Sequence, residues 1–230
     1  MGNKVCSAAD TQFYAGNFSE ALSSYQRILI QVQKSKNFTK TCEIMIKIAE
    51  CHSELGNFEA ALVSYSQCLQ LQISKLGEGH IDIATTLNGL GLLHYRQGKY
   101  DDALVLFEKS LEIQKEKLPS NHKFLATNYH DLGLVHKDLL NLPQAIEFFQ
   151  LALKINTSNF GRNDLQVALN HHGLGNCFLQ LKDFKMATDH LTQAFEIRKK
   201  FYGETHPEVA KSLSSLAFLA SLMENHEISG

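Results

Sequence analysis

The chain has 230 residues, a net charge of −2, 20% charged residues and 44% apolar residues, the balance of a folded protein with no basic excess to draw it onto phosphate backbones. That disfavours nucleic acid as a ligand, and no apolar run approaches the roughly 18 residues that cross a bilayer. The N-terminus lacks the apolar core of a secretory signal, so a cytoplasmic location is expected.

Internal repetition overrides any domain count taken from length. The trio Ala103, Phe107 and Leu111, at helical four-residue spacing after Gly98, recurs as Ala61/Tyr65/Leu69, Ala145/Phe149/Leu153 and Ala187/Leu191/Phe195, each copy 42 residues from the next. A fainter copy, Ala21/Tyr25/Leu29, stands 40 residues before the second. One all-α array is expected over residues 1–230, in units of about 2–37, 38–79, 80–121, 122–163 and 164–205, with a terminal helix at 206–224. Each unit pairs a helix A with a helix B.

In the first unit helix A is expected at about 3–14, Gly16 and Asn17 break it, and helix B runs from Ser19 to about Lys34. The second unit carries Met45, Ile48, Ala49 and His52 on helix A, turns at Gly56, and continues as helix B from about Glu59 through Ile73. The third, the most regular, aligns Leu87, Leu90, Gly91 and His94 on one stripe and closes at Gly98. Small residues at 49, 91, 133, 175 and 217 share one place. Glycine inside a helix costs about 1 kcal/mol relative to alanine, so its recurrence there implies that two helix backbones approach closely.

In the fourth unit Leu140 takes the place of the turn glycine, and Pro143 falls in the first turn of helix B, where its missing N–H does no harm. In the fifth, Lys182 takes the glycine place. His80, His122 and His206 each precede an A helix, where capping and loop packing account for them. The last helix A, about Glu208 to Met223, has no helix B after it and reads as a cap of the array or as the edge of a longer chain.

These residues resemble the tetratricopeptide repeat: leucine then a small residue in helix A, glycine plus aromatic at the turn, and the alanine, aromatic, leucine series in helix B. The usual repeat has about 34 residues, and the extra length here corresponds to about one added turn per helix. This longer form, with junctions such as Tyr202-Gly-Glu-Thr-His-Pro, is similar to the repeats of kinesin light chains and their relatives. The heptad coiled coil of a kinesin light chain is missing, so the resemblance does not extend to a motor subunit. It implies a right-handed superhelical solenoid of antiparallel helix pairs whose A helices line a concave groove for a peptide or helix, without catalytic activity.

Helix phase locates that groove. Residues sharing the face of helix A away from the Leu90/Gly91 stripe are Asn88, Leu92, Tyr95 and Arg96 in the third unit, His130, Leu134 and Lys137 in the fourth, and His172, Asn176 and Leu179 in the fifth. Apolar anchors alternate with donors, which suits an extended peptide with unpaired backbone groups. Asn88 and Asn176 match asparagines that hold ligand backbone in similar repeats. Glu43, Glu50 and Glu54 in the second unit predict an acidic N-terminal end, hence a ligand with one basic end.

Other chemistry is weaker. The Gly91 to Gly98-Lys99-Tyr100 stretch has the wrong spacing and lies on a helix, so it is no phosphate loop. No catalytic constellation stands out, and no cofactor or metal is expected. His52, His94 and His136 are equivalents expected to pack between helices A and B. Cys6, Cys42, Cys51, Cys68 and Cys177 read as buried reduced thiols. Gly2 and Cys6 come close to an acylation signal, leaving lipid anchoring as a side possibility. The partner class expected is protein. The alternative is that the array serves as the regulatory or sensing part of a longer enzyme or signalling protein.

Overall fold

A computed structural model describes residues 8–228. They form α1 (Ala8–Tyr14), α2 (Phe18–Lys34), α3 (Phe38–Glu54), α4 (Phe58–Leu76), α5 (Ile81–Arg96), α6 (Tyr100–Lys117), α7 (Lys123–Asp138), α8 (Leu142–Phe160), α9 (Leu165–Gln180), α10 (Phe184–Tyr202) and α11 (Pro207–Ile228), with no strand among the described residues. The fold is all-α. The full-length A helices α3, α5, α7 and α9 have 16 or 17 residues and the B helices 17 to 19, which accounts for the repeat's extra length. Helix α4 outruns its expected end by three residues and α11 outruns Met223 by five. Residues 3–7 of the expected first helix lie outside the described residues.

The chain divides into two compact units, residues through Ile113 and residues from Gln114, with the division inside α6. In the first, α2 packs on α1 and α3, α4 packs on α3 and α5, and the A helices α3 and α5 touch. In the second, α8 packs on α7 and α9, α10 packs on α9 and α11, and the A helices α7, α9 and α11 touch in sequence. Each helix pair thus buries its apolar face against its own partner and its neighbour, as a stack of repeats requires.

Local chemistry sets the helix ends. His80, His122 and His206 turn Nδ1 back to accept the backbone N–H of Asp82, Phe124 and Glu208, each at 3.2 Å, and Asp164 does the same for Gln166 at 2.8 Å. The expected capping role is what these histidines perform. At the turn from A to B the backbone enters the left-handed region: Gly98 has φ 73°, and where glycine is replaced, Leu140 and Lys182 still hold φ 61° and 60°. A side chain there costs roughly 1–2 kcal/mol. Pro143 sits in the first turn of α8, as expected.

At Gly175 the partner backbone does come close, as expected, with Leu191 N 3.2 Å from where a Cβ would stand, but at Gly91 and Gly133 the cause is different. Two backbones do not meet at Gly91 and Gly133. The ring of the partner helix B lies there instead, so that a Cβ on Gly91 would stand 2.6 Å from Phe107 and one on Gly133 would stand 2.8 Å from Phe149. Gly173 of the next repeat closes on the same Phe149 ring, at 2.7 Å from such a Cβ, and Gly89 closes on Tyr65. Phe149, wholly buried, is therefore held between glycines of two successive A helices. Burying such a side chain contributes on the order of 2–3 kcal/mol, and the small residues make that burial possible.

A second repeating feature is polar. Helix B contributes Gln72, Gln114, Asn156 and Arg198, all buried, and 14 residues later the next helix A contributes Thr86, Asn128, Asn170 and Ser212, also buried. Thr86 donates to the Gln72 side chain at 2.7 Å, and Arg198 donates to Ser212 Oγ at 2.7 Å. Asn170 donates to Gln166 O at 2.8 Å. Two of these rungs, Gln72 with Thr86 and Arg198 with Ser212, join one repeat to the next by a side-chain hydrogen bond, as buried polar positions require. The side-chain amide of Asn128 finds no hydrogen-bond partner among the described residues. The described cysteines 42, 51, 68 and 177 are free and buried, and burial pushes the Cys68 thiol up to about 12, so they remain protonated. Gly2 and Cys6 lie outside the described residues.

Candidate functional site

The expected groove residues fall into the two units. In the first, α5 carries Asn88, Leu92 and Tyr95 half-buried and Arg96 exposed. The Tyr95 ring is tilted against Tyr100 at 5.6 Å between centroids. Arg96 is already engaged on α3, donating to Glu54 and to Ser53 Oγ. The other expected acids are also paired, Glu43 with Lys40 at 2.9 Å and Glu50 with Lys47 at 2.7 Å. The acidic end read from Glu43, Glu50 and Glu54 is thus largely neutralised, by i,i+3 lysines on the same helix for Glu43 and Glu50 and by Arg96 of the next A helix for Glu54.

In the second unit His130, Leu134 and Lys137 of α7 and His172 and Asn176 of α9 come together around one pocket of about 450 Å³. Lys137, Asn176 and Leu179 also line an adjoining pocket of about 420 Å³ whose far wall is Ser215, Phe218 and Leu222 of α11. The six residues expected on this side all line one or both. The first pocket further includes Arg198 and Tyr202 of α10 and Glu208 and Lys211 of α11. These were missed because the groove was sought on A helices with a B helix behind them. Arg198 stands on a B helix and α11 is the terminal one.

The electrostatics are specific. Lys137 is paired with Asp138 at 2.6 Å, while one carboxylate, Glu208, serves both Arg198 at 3.5 Å and Lys211 at 3.3 Å. His130 is less free than its helix phase suggested: its Nδ1 stands 2.8 Å from Asn170 Oδ1, and its ring meets Phe149 edge-on. Since the Asn170 nitrogen is committed to Gln166 O, its oxygen accepts and His130 carries its proton on Nδ1. Burial lowers the His130 pKa against the opposing effect of that bond. His172 is pushed down to about 4, first by burial and then by Arg198 and Lys211. Its Nδ1 is buried with no partner among the described residues.

Two of the three histidines expected to pack between helices A and B, His94 and His136, meet the partner helix B. His136 stacks on Phe148 at 5.3 Å, Phe178 in the equivalent place stacks on His190 at 5.5 Å, and His94 lies 3.5 Å from Asp102. No group of three metal-ligating side chains occurs among the described residues, and no described helix is long and apolar enough to cross a membrane.

An all-α stack of 42-residue helix pairs, with leucine and a small residue on helix A and alanine, aromatic and leucine on helix B, defines a helical-repeat protein of the kind used as interaction scaffolds. The tetratricopeptide repeat model matches residues 40–116 and 124–200, and the chain belongs to that family. Among solved structures it is similar to BtubC (BKLC) from P. vanneervenii, at 20% identity and TM-score 0.74, covering 96% of this chain and 86% of that one. It is also similar to the nearly identical TPR-like repeats of a Podosopora anserina putative kinesin light chain, at 17% identity and TM-score 0.64, covering 84% and 93%. MamA from Desulfovibrio magneticus RS-1 follows at 19% identity and TM-score 0.57, covering 84% and 92%. At these identities the likeness shows the fold. No curated protein sequence matches the chain.

Proposed function

We propose that the protein is a non-catalytic scaffold or adaptor of the cytoplasm that takes a peptide or a helix of a partner protein against the concave faces of its A helices. The supporting observation is that Leu134, Lys137 and Asn176, chosen by helix phase alone, line pockets that hold both apolar and hydrogen-bonding surface. An extended peptide supplies side chains for Leu134 and Leu179 and backbone groups for Asn88 and Asn176. Asn88, Leu92, Tyr95 and Arg96 are the proposed contacts on the first unit, and His130 and His172 are among those on the second. Arg96, bound to Glu54, exchanges an existing ion pair if it engages a ligand, so it contributes orientation more than affinity.

The test is site-specific photocrosslinking with a displayed peptide library. A crosslinker at Leu179 on α9 captures selected peptides, and one at exposed Val105 on α6 does not. Capture from Val105 alone would move the site to the B helices.

A further inference from the structure

We propose that His171 of α9 and His190 of α10 form a two-nitrogen site for a late first-row divalent metal ion, copper(II) foremost, with water completing the coordination. The site lies on the contact between helix A and helix B of the fifth unit. Neither residue lines the two groove pockets, and the proposal stands apart from the groove reading.

It starts from a break in the repeat. The positions equivalent to 171 and 190 hold Met45 and Ser64, Leu87 and Leu106, and Tyr129 and Phe148 in the three preceding units. In the fourth unit the rings of Tyr129 and Phe148 stack at 6.0 Å between centroids, so packing at this place needs no imidazole. The fifth unit supplies two, and it turns the same nitrogen of each toward the other, Nδ1 to Nδ1 at 2.9 Å. As a neutral pair they make one hydrogen bond there, with the proton on one Nδ1 and the other bare. When the donor ring carries its proton on Nε2 instead, two lone pairs face each other, and a cation between them is what relieves the repulsion.

The spacing selects the ion. Two metal–imidazole bonds of about 2.0–2.1 Å at a right angle hold their nitrogens about 2.9 Å apart, whereas a tetrahedral angle needs about 3.3 Å. The observed 2.9 Å is the right-angled edge of a tetragonal ion such as copper(II) or nickel(II), and copper leads the divalent series at nitrogen donors. The stack of Phe178 on His190 at 5.5 Å fixes the orientation of that ring. Burial lowers the hold of both rings on protons, His171 down to about 4, so near neutral pH a metal has no bound proton to displace from the pair as a whole. Asp189, exposed beside His190, adds a negative charge that favours a cation. No third ligating side chain joins the pair among the described residues, and both rings are only half-buried, which leaves the other positions to water. Binding exchanges two of the ion's water ligands for two Nδ1 atoms and moves one ring proton from Nδ1 to Nε2, with no net proton release.

The test titrates the full chain, without added histidines, with Cu2+ at neutral pH in buffer free of reductant, followed by calorimetry and electron paramagnetic resonance. Saturation at one ion per chain is expected, with couplings to two imidazole nitrogens. Zn2+, which is diamagnetic, should shift the ring C–H resonances of His171 and His190, and Mg2+ should shift neither. His171→Tyr and His190→Phe each restore the residue type of the fourth unit, so helical content should be retained. Each should weaken Cu2+ binding by more than about tenfold, the least that loss of a ligand's outer partner costs. His136→Phe, which introduces the residue type of Phe178 at an equivalent place, should leave affinity within about twofold. Where one variant alters circular dichroism the other carries the comparison, and the Zn2+ shifts are read on the unaltered chain. No saturable uptake of Cu2+, a spectrum without two-nitrogen couplings, Zn2+ shifts confined to other histidines, or unchanged affinity in both variants would each overturn the proposal.

Discussion

The ring of Phe149 lies so close over Gly133 that a methyl group there would stand 2.8 Å from Cδ1 and Cε1. A second glycine crowds the same edge of the ring, because a Cβ on Gly173 would stand 2.7 Å from Cε1 and 2.9 Å from Cδ1. Gly133→Ala gains about 1 kcal/mol of helix propensity and loses more to overpacking, which costs typically 1–3 kcal/mol. A net loss of up to about 2 kcal/mol is expected in urea denaturation. A more stable variant would mean that Phe149 has room to move.

The left-handed turns behave in the opposite sense. Leu140 and Lys182 hold φ near 60° at roughly 1–2 kcal/mol each, while glycine gives back about half of that through the entropy of the unfolded chain. Leu140→Gly and Lys182→Gly should each raise stability by about 0.5–1 kcal/mol, and Gly98→Ala should lower it by about 1 kcal/mol. Denaturation midpoints of the three variants check the signs.

The architecture was legible because three features repeat in register: the helix B trio, the turn glycine and the small residue of helix A. Even the roles of His80, His122 and His206 followed from their place before an A helix, and the structure has each accepting an N–H. The polar rungs were not legible, because Gln, Asn and Arg on one side and Thr, Asn and Ser on the other share hydrogen-bonding capacity but no single residue type. Pairing across 14 residues appears only once two helices are packed. Helix phase assigned His130 to the groove face, and it lines the pocket of the second unit, but phase did not show that Asn170 and Phe149 already hold it. Arg198 escaped notice because its helix was assigned to the far side of each pair.

The first polar rung can be measured by a double-mutant cycle. Thr86→Val removes the hydroxyl that donates to Gln72 at 2.7 Å and strands a buried amide, costing about 1–3 kcal/mol. Adding Gln72→Leu should recover part of that loss, giving a coupling energy of about 1 kcal/mol. Strict additivity in thermal denaturation would show that the two side chains do not act as a pair.

Acid should loosen the contact of α9 with α10. His171 Nδ1 meets His190 Nδ1 at 2.9 Å, so one ring donates to the bare nitrogen of the other and the pair cannot take a proton on both, while Phe178 stacks on His190. Burial and the neighbouring His190 push His171 down to about 4, and burial also lowers His190 against the effect of Asp189. Both folded pKa values lie below the unfolded value near 6.5, so the unfolded chain binds more protons across that interval. The stability is fully present above about pH 6.5 and is lost as pH falls toward 4. His190→Phe keeps the stack and removes one of the two titrating groups, so its melting temperature should fall less steeply over that range. An unchanged slope would assign the acid sensitivity to other groups.

The central claim, that the A-helix faces hold the ligand, is tested most directly by calorimetric titration of a selected peptide into Asn88→Ala/Leu134→Ala and Glu108→Ala chains with circular dichroism alongside. Two groove contacts at more than about 1 kcal/mol each predict a loss of roughly thirtyfold or more in the double variant with helical content unchanged, and affinity within about twofold of wild type for Glu108→Ala on exposed α6 surface. Wild-type affinity in the double variant, or a large loss in Glu108→Ala, would contradict the account and place the ligand on the B helices.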